Sequence, residues 1–182
     1  NYWSEMGPRV GVSMEYSTSG KMALRIADNS AIDTATAVRN FMGTAKGSIS
    51  FNLNYTSAAS GLRLGLWECE PVHVTDAGNM FALDISKAGV RSWVNAEGAT
   101  VATEATLKPG NWYTIAMEFD VAQGTMDILV DGVKVGTAQC TQQQNAIAYF
   151  AAYSTGVETS GTEFWLDDLI LIDSEDAALQ MI

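Results

Sequence analysis

Two of the chain's five tryptophans sit where strand alternation would set them beside an arginine. Trp67 lies four residues after Arg63 within Leu62–Trp67, and Trp93 lies two after Arg91 within Val90–Asn95. Residues two and four apart in a strand share a face, so each pair places an indole beside a guanidinium. Indoles stack on the apolar C–H face of a pyranose ring, while neighbouring amides, carboxylates and guanidinium groups select its hydroxyls. Asn52, Asn54 and Asp84 are polar groups of the right kind to read hydroxyls, and the two arginines could also take a carboxylate. Tyr149 and Tyr153 alternate on a further run and would line the same surface or pack in the core. Gly65, between Arg63 and Trp67, is expected to leave an open trough. The competing reading of both tryptophans is packing beneath loops or under a covered second face.

Other chemistries are less well served. A glycosidase needs two carboxylates about 5–5.5 Å apart for retention or about 6.5–9.5 Å apart for inversion. Glu68 and Glu70 share a face if their strand stays extended, and Glu118 or Asp84 would have to approach from neighbouring strands. His73, the single histidine, falls in the segment Pro71–Asn79, where a surface role is the ordinary one. No GxSxG elbow marks a serine nucleophile. No catalytic residue is therefore assigned. Cys69 and Cys140 have no CxxC spacing, which argues against structural zinc, and either a disulfide or two buried thiols would suit them.

The adjacent pair Asp167–Asp168 suggests a metal. Strict alternation puts Asp168 on the face of Phe164, Leu166, Ile170 and Ile172, where a carboxylate would need a cation or hydrogen bonds to offset desolvation. Calcium, which takes six to eight oxygen ligands, is the expected ion, with Glu15 as a partner. The alternative is a capped or solvated carboxylate.

These residues need strands to position them. Short alternating runs bounded by Gly, Asn, Asp and Pro recur at Lys21–Ala27, Ser48–Tyr55, Leu62–Trp67, Met80–Ser86, Val90–Asn95, Trp112–Asp120, Thr125–Val130, Ala146–Tyr153 and Glu163–Ile172. Asp131-Gly132 predicts a two-residue hairpin turn. Ile49, Phe51, Leu53 and Tyr55 form a core face opposite Ser50, Asn52 and Asn54. Leu62, Leu64 and Leu66 do so opposite Arg63, Gly65 and Trp67, and Tyr113, Ile115, Met117 and Phe119 do so opposite Trp112 and Glu118. Helical patterning is confined to a weak turn over Ala31–Arg39 and to Ser174–Ile182, read as a closing helix or the start of a linker. The expected fold is all-β: a two-sheet antiparallel β-sandwich of the jelly-roll kind, one domain over residues 1–182.

The stretch Gly110–Thr137, GNWYTIAMEFDVAQGTMDILVDGVKVGT, resembles the concanavalin A-like and laminin-G-like jelly-roll superfamily, with Trp112 opening a strand, a hairpin at Gly124, and Asp131-Gly132 before a short return strand. Ser19–Ile26 and Glu163–Ile172 are similar to the early and closing strands of bacterial carbohydrate-binding modules. The resemblance implies a non-catalytic glycan-binding module attached to a secreted glycan-degrading enzyme. The close-set Glu/Asp signature of laminarinase-like hydrolases and the arginine- and histidine-bearing strands of alginate-lyase relatives are missing. A hydrolase or lyase on the same fold, and a laminin-G-like protein-interaction module, are the alternatives.

Composition narrows the partners. A net charge of −11, from 21 acidic and 10 basic side chains, opposes binding to nucleic acid or anionic membranes. An apolar fraction of 47% with only 17% charged residues suits a sheet-rich fold surfaced by Ser, Thr and Asn. The chain opens at Asn1 without a signal pattern, which reads as a mature or excised domain of a secreted, bacterial-type protein. A neutral polysaccharide fits the overall acidity; the arginine pair keeps a uronate-containing one open.

Overall fold

The computed structural model describes residues 3–28, 34–56, 61–70, 80–86, 89–94, 99–102, 105–140, 144–154 and 162–174. They form β1 (Glu5–Met6), β2 (Val10–Ser13), β3 (Ala23–Asp28), β4 (Thr36–Thr44), β5 (Lys46–Tyr55), β6 (Leu62–Trp67) and β7 (Phe81–Ser86). These are followed by β8 (Gly89–Val94), β9 (Ala99–Ala102), β10 (Tyr113–Asp120), β11 (Thr125–Val130), β12 (Val133–Gln139), β13 (Ile147–Ser154) and β14 (Thr162–Asp173). No helix occurs among the described residues.

Alternation builds both sheets. In β5, Ile49, Phe51, Leu53 and Tyr55 are buried while Ser48, Ser50 and Asn52 are only half-buried. Such strands cannot cover their apolar face alone, and pairing them in two layers does so. Sheet A runs β1-β4-β13-β6-β7-β8-β9, and sheet B runs β12-β11-β10-β5-β14-β3-β2. The chain changes sheet between β1 and β2, at each step from β3 to β6, between β9 and β10, and at each step from β12 to β14, and every pairing is antiparallel. This is the expected β-sandwich of jelly-roll type. The core lies between the sheets, with Phe51 of sheet B against Phe150 of sheet A, ring centroids 5.7 Å apart. Trp3 closes one end of it against Phe150 at 6.1 Å.

The predicted hairpin is present. Val130 pairs with Val133, and Asp131 and Gly132 both adopt positive φ, 49° and 77°, as a type I′ turn requires. Asp131 Oδ1 also accepts a hydrogen bond from Thr114 N at 2.8 Å, tying the turn back to β10.

Four expectations are corrected. The proposed helical turn over Ala31–Arg39 is displaced by β4, which begins at Thr36; the β-branched Thr36 and Val38 prefer the pleated surface. Neither cysteine is deeply buried and neither forms a disulfide: Cys69 is exposed and Cys140 half-buried. Alternation fails in β14, where the register shifts between Asp167 and Ile170. After the shift Leu169 and Leu171 turn toward the core, and Ile170 and Ile172 face out, 52% and 45% exposed. Finally, Gly65 is not an open trough, for the reason given below. Of the proposed tail element, residues 175–182 lie outside the described residues, as does His73.

Candidate functional site

Seven of the nine residues selected for ligand contact fall on one surface, the outer face of sheet A. Cross-strand register puts Tyr153, Arg63, Asp84 and Arg91 in one row across β13, β6, β7 and β8. The next row holds Val38, Ala151, Gly65, Ala82 and Trp93, and a third pairs Tyr149 with Trp67. Directly paired residues point to the same side of a sheet. The opposite side of β6 is confirmed as core by Leu62, Leu64 and Leu66, all fully buried. The side chains of Arg91 and Trp93 lie outside the described ones, so their place is given by backbone register alone.

Along this face Arg63 and Asp84 approach to 3.9 Å between Nη2 and Oδ2, with side chains 16% and 22% exposed. Trp67 behaves differently from the exposed platform its sequence context suggests. It is only 3% exposed and packs with Val38, Ala151, Tyr153 and Tyr149 in a second apolar cluster, separate from the main core. Its ring stands 6.2 Å from that of Tyr153. The indole lies directly over Gly65: a Cβ at that position would run into the six-membered ring of Trp67. The missing side chain therefore makes room for the indole and leaves no channel. Trp67 and Tyr153 form the floor of the face, and the Arg63–Asp84–Arg91 row and Trp93 lie beside that floor.

Asn52 and Asn54 are elsewhere. They point outward as expected, but from β5 of sheet B, on the opposite side of the sandwich. Asn54 is buried and donates from Nδ2 to the Gly110 carbonyl at 3.4 Å. Asn52 belongs to a clasp that holds the connection between β2 and β3. Its Nδ2 donates to Asp168 Oδ2 and meets Thr18 Oγ1, each at 3.0 Å, and its Oδ1 accepts from Thr114 Oγ1 at 2.8 Å. Asp167 Oδ2 accepts from Thr18 N at 2.8 Å and Ser19 N at 3.1 Å, while its Oδ1 accepts from Asp168 N at 2.9 Å. Asp168 also takes the Ser19 hydroxyl.

Asp168 does not face the core. It occupies the bulge with φ of 51° and its carboxylate turns outward, so no burial among apolar side chains has to be offset. The pair is served by N–H and O–H donors, the complement of what a cation wants. Glu15 is exposed, with its backbone N–H donating to Ser13 Oγ at 3.2 Å. Among the described residues no group of three or more His, Cys, Asp and Glu side chains converges to hold a metal ion.

Beside this clasp a cleft of about 830 Å³ opens, lined by Val12, Lys21, Met22, Asn52, Asp168 and Ile170, among others. Trp165 is buried on the outer side of sheet B beneath Tyr16, with ring centroids 4.6 Å apart. The Arg25–Glu163 ion pair lies alongside, on the strands that Trp165 joins. The candidate hydrolytic carboxylate Glu68 is engaged by Asn145, whose Nδ2 donates to Oε1 at 3.1 Å.

A sequence profile described as the concanavalin A-like lectin/glucanases superfamily matches residues 28–169. The chain belongs to that superfamily. No curated protein sequence matches it. Among solved structures of similar fold, a sialidase superposes with a TM-score of 0.73 at 15% identity over 94% of this chain. The chain spans only 17% of that sialidase. A cellulose-induced protein, Cip1, gives 0.69 at 10% identity, covering 91% of this chain and 85% of its own. The carbohydrate binding module CBM66 from Bacillus subtilis gives 0.58 at 9% identity, covering 82% and 86%. At these identities the likeness is one of fold. It agrees with the jelly-roll, concanavalin A-like assignment reached from Gly110–Thr137.

Proposed function

We propose that this domain is a carbohydrate-binding module that holds a polysaccharide on the outer face of sheet A and performs no catalysis itself. The observation that carries the reading is the register across β13, β6, β7 and β8. It brings Trp93, Tyr149, Arg63, Asp84 and Arg91, drawn from four separate stretches of sequence, onto one side of the sheet, around a buried floor of Trp67 and Tyr153. Aromatic faces for stacking beside directional polar groups are the means by which proteins bind sugars. The names of the fold relatives, a carbohydrate binding module and a sialidase, support the same class of ligand. Attached to a secreted glycan-degrading enzyme, such a module would raise that enzyme's effective concentration on its polymer.

The test is electrophoresis through native gels containing soluble β-glucans, xylan, mannan, xyloglucan, pectin or alginate, each lane assayed for new reducing ends and unsaturated products. Retardation without product is expected. Product release would make the domain an enzyme. Trp93→Ala is expected to weaken retention roughly tenfold or more while the domain stays folded, as for an aromatic contact at a binding hot spot; unchanged retention in the folded variant would remove Trp93 from the site. A chelator arm in the same gels, with a thermal melt, addresses calcium at Asp168. The hydrogen-bonded clasp predicts that neither migration nor Tm changes, and a drop in either would assign an ion there.

A second reading rests on a different observation. Val12, Met14, Tyr16, Met22 and Ile170 are all exposed around the clasp of sheet B, and a cluster of exposed apolar side chains is a feature of protein-binding surfaces. Absence of retention on every glycan would shift the assignment to a protein-interaction module using that side.

A further inference from the structure

β14 has a partner on both sides for only part of its length. On one side it follows β5 as far as Asp173. On the other it follows β3 from Thr162 to Leu166 and no further, because β3 begins at Ala23, just after a turn at Gly20 with φ of 62°. Among the described residues, no strand pairs with the second edge of Leu169–Ile172 and no other backbone bond reaches it. A strand with one partner points the N–H and C=O of every second residue away from that partner. Two of these four residues therefore present both groups to the open side, over about 13 Å. The cleft of about 830 Å³ lies where β14 and β3 part. It is lined by Asp168, Leu169 and Ile170 from β14, and by Val12 of β2 with Met22 and Ala23 at the start of β3. Val12, Met22 and Ile170 are each more than half exposed.

We propose that an extended peptide segment of another protein adds to this edge as a strand, apolar across its middle and carrying lysine or arginine at its ends. An open edge beside exposed aliphatic side chains is the surface on which strand addition occurs. The open backbone groups would bond the incoming main chain, while Val12, Met22 and Ile170 would cover its outward side chains. The clasp fixes Asp168 at the head of the edge, so the edge is set before the partner arrives, which lowers the ordering cost of binding. Charge selects the basic ends. Asp167 and Asp168 border the edge and are held by neutral donors, from Thr18, Ser19, Asn52 and the Asp168 N–H. They outnumber Lys21, the single cation lining the cleft. A second copy of the chain would bring the same carboxylates and a net charge of −11 against −11, which opposes self-pairing and favours a basic partner. The surface belongs to the sheet opposite the candidate glycan face and does not depend on the glycan reading.

The probe is a blocked, fluorescein-labelled peptide, Lys-Lys-Val-Ala-Val-Lys-Lys, followed by fluorescence anisotropy. Two controls carry the argument: the same peptide with its central amides N-methylated, and the same peptide with glutamate for every lysine. Saturable binding is expected, weakened roughly tenfold or more in either control, with slower amide hydrogen exchange at Leu169–Ile172. Ile170→Lys should weaken binding as much while Tm stays the same; if that variant fails to fold, the N-methyl comparison still decides. Absence of binding, or equal binding of the N-methylated peptide, overturns the proposal. Dimerisation of the chain that Ile170→Lys abolishes would assign the edge to a second copy instead. Binding that appears only when the chain is ended after Ser174 would assign it to the chain's own residues 175–182. Either result overturns the proposal, and retention on glycan gels, measured on the same samples, is expected to be unchanged by Ile170→Lys.

Discussion

Trp67→Ala is expected to lower the unfolding free energy by about 3–5 kcal/mol, the range for deleting a large aromatic side chain from a packed site. Although the residue lies outside the main core, it is 3% exposed and packs with Val38, Ala151, Tyr149 and Tyr153. The indole fills the space above Gly65, and its removal would leave a cavity there. Chemical denaturation followed by far-UV circular dichroism measures the effect, and a loss below about 1 kcal/mol would show that the second cluster contributes little. Trp67→Phe sharpens the test. The indole N–H is buried and meets no acceptor among the described residues, a situation that costs about 1–3 kcal/mol. Phenylalanine removes that donor while keeping most of the packing, so its loss should be much smaller than alanine's.

The second large effect is expected at the clasp. Asp167→Ala removes the acceptor that holds Thr18 N and Ser19 N, and should destabilise the domain by about 1–3 kcal/mol, the usual range when backbone donors lose a charged partner. Partial burial raises the Asp167 carboxyl's pKa, but donation by Ser19 N, Thr18 N, the Thr18 hydroxyl and Asp168 N outweighs it, and the net displacement is downward. Asp127, held by Lys134 and Thr137, and Asp120, held by the Gln123 N–H and Lys46, are lowered as well. A carboxyl whose folded pKa lies below its unfolded value adds stability that is fully present above the unfolded value, about 3.9. That stability is lost as pH falls through the folded value. Wild-type stability should therefore hold at neutral pH and decline below about pH 4, and Asp167→Asn should flatten that acid limb. An unchanged slope in the variant would show that Asp167 does not contribute to it.

How much could be read from the sequence follows from what a two-residue period can express. It gives sides. The core faces of β5, β6 and β10 were legible from Ile49, Leu62 and Ile115 and their alternating neighbours. So was the outward direction of Arg63, Trp67 and Asn52. The period does not say which sheet a strand joins, and so Asn52 and Asn54 were grouped with residues that lie across the sandwich from them. Nor does it say whether an outward side chain is covered. Trp67 faces away from the core and is buried nonetheless, because Gly65 lets the indole lie flat and β13 brings Tyr149 and Tyr153 alongside. The one available signal was the glycine itself: a side-chain-free position two residues before a tryptophan on the same face is room for that ring. β4 was missed because Ala31–Arg39 mixes Ala, Thr and Val without clean alternation, and β2 because four residues are too few to show a period.

Asp168 illustrates a deeper limit. After it the chain reads Leu169, Ile170, Leu171, Ile172, apolar in both frames, so this half of β14 could be threaded with either set of side chains inward at little difference in transfer energy. Such a stretch is a degenerate message: its content is clear and its reading frame is not. The frame is supplied by a polar clamp, a left-handed residue fastened to Thr18, Ser19 and Asn52, which come from other parts of the chain. The decision about which leucines and isoleucines enter the core is thus taken not within the strand but by tertiary contacts. It follows that the clasp acts as punctuation: loosening it would release not only a loop but the choice between two interchangeable threadings of the same strand.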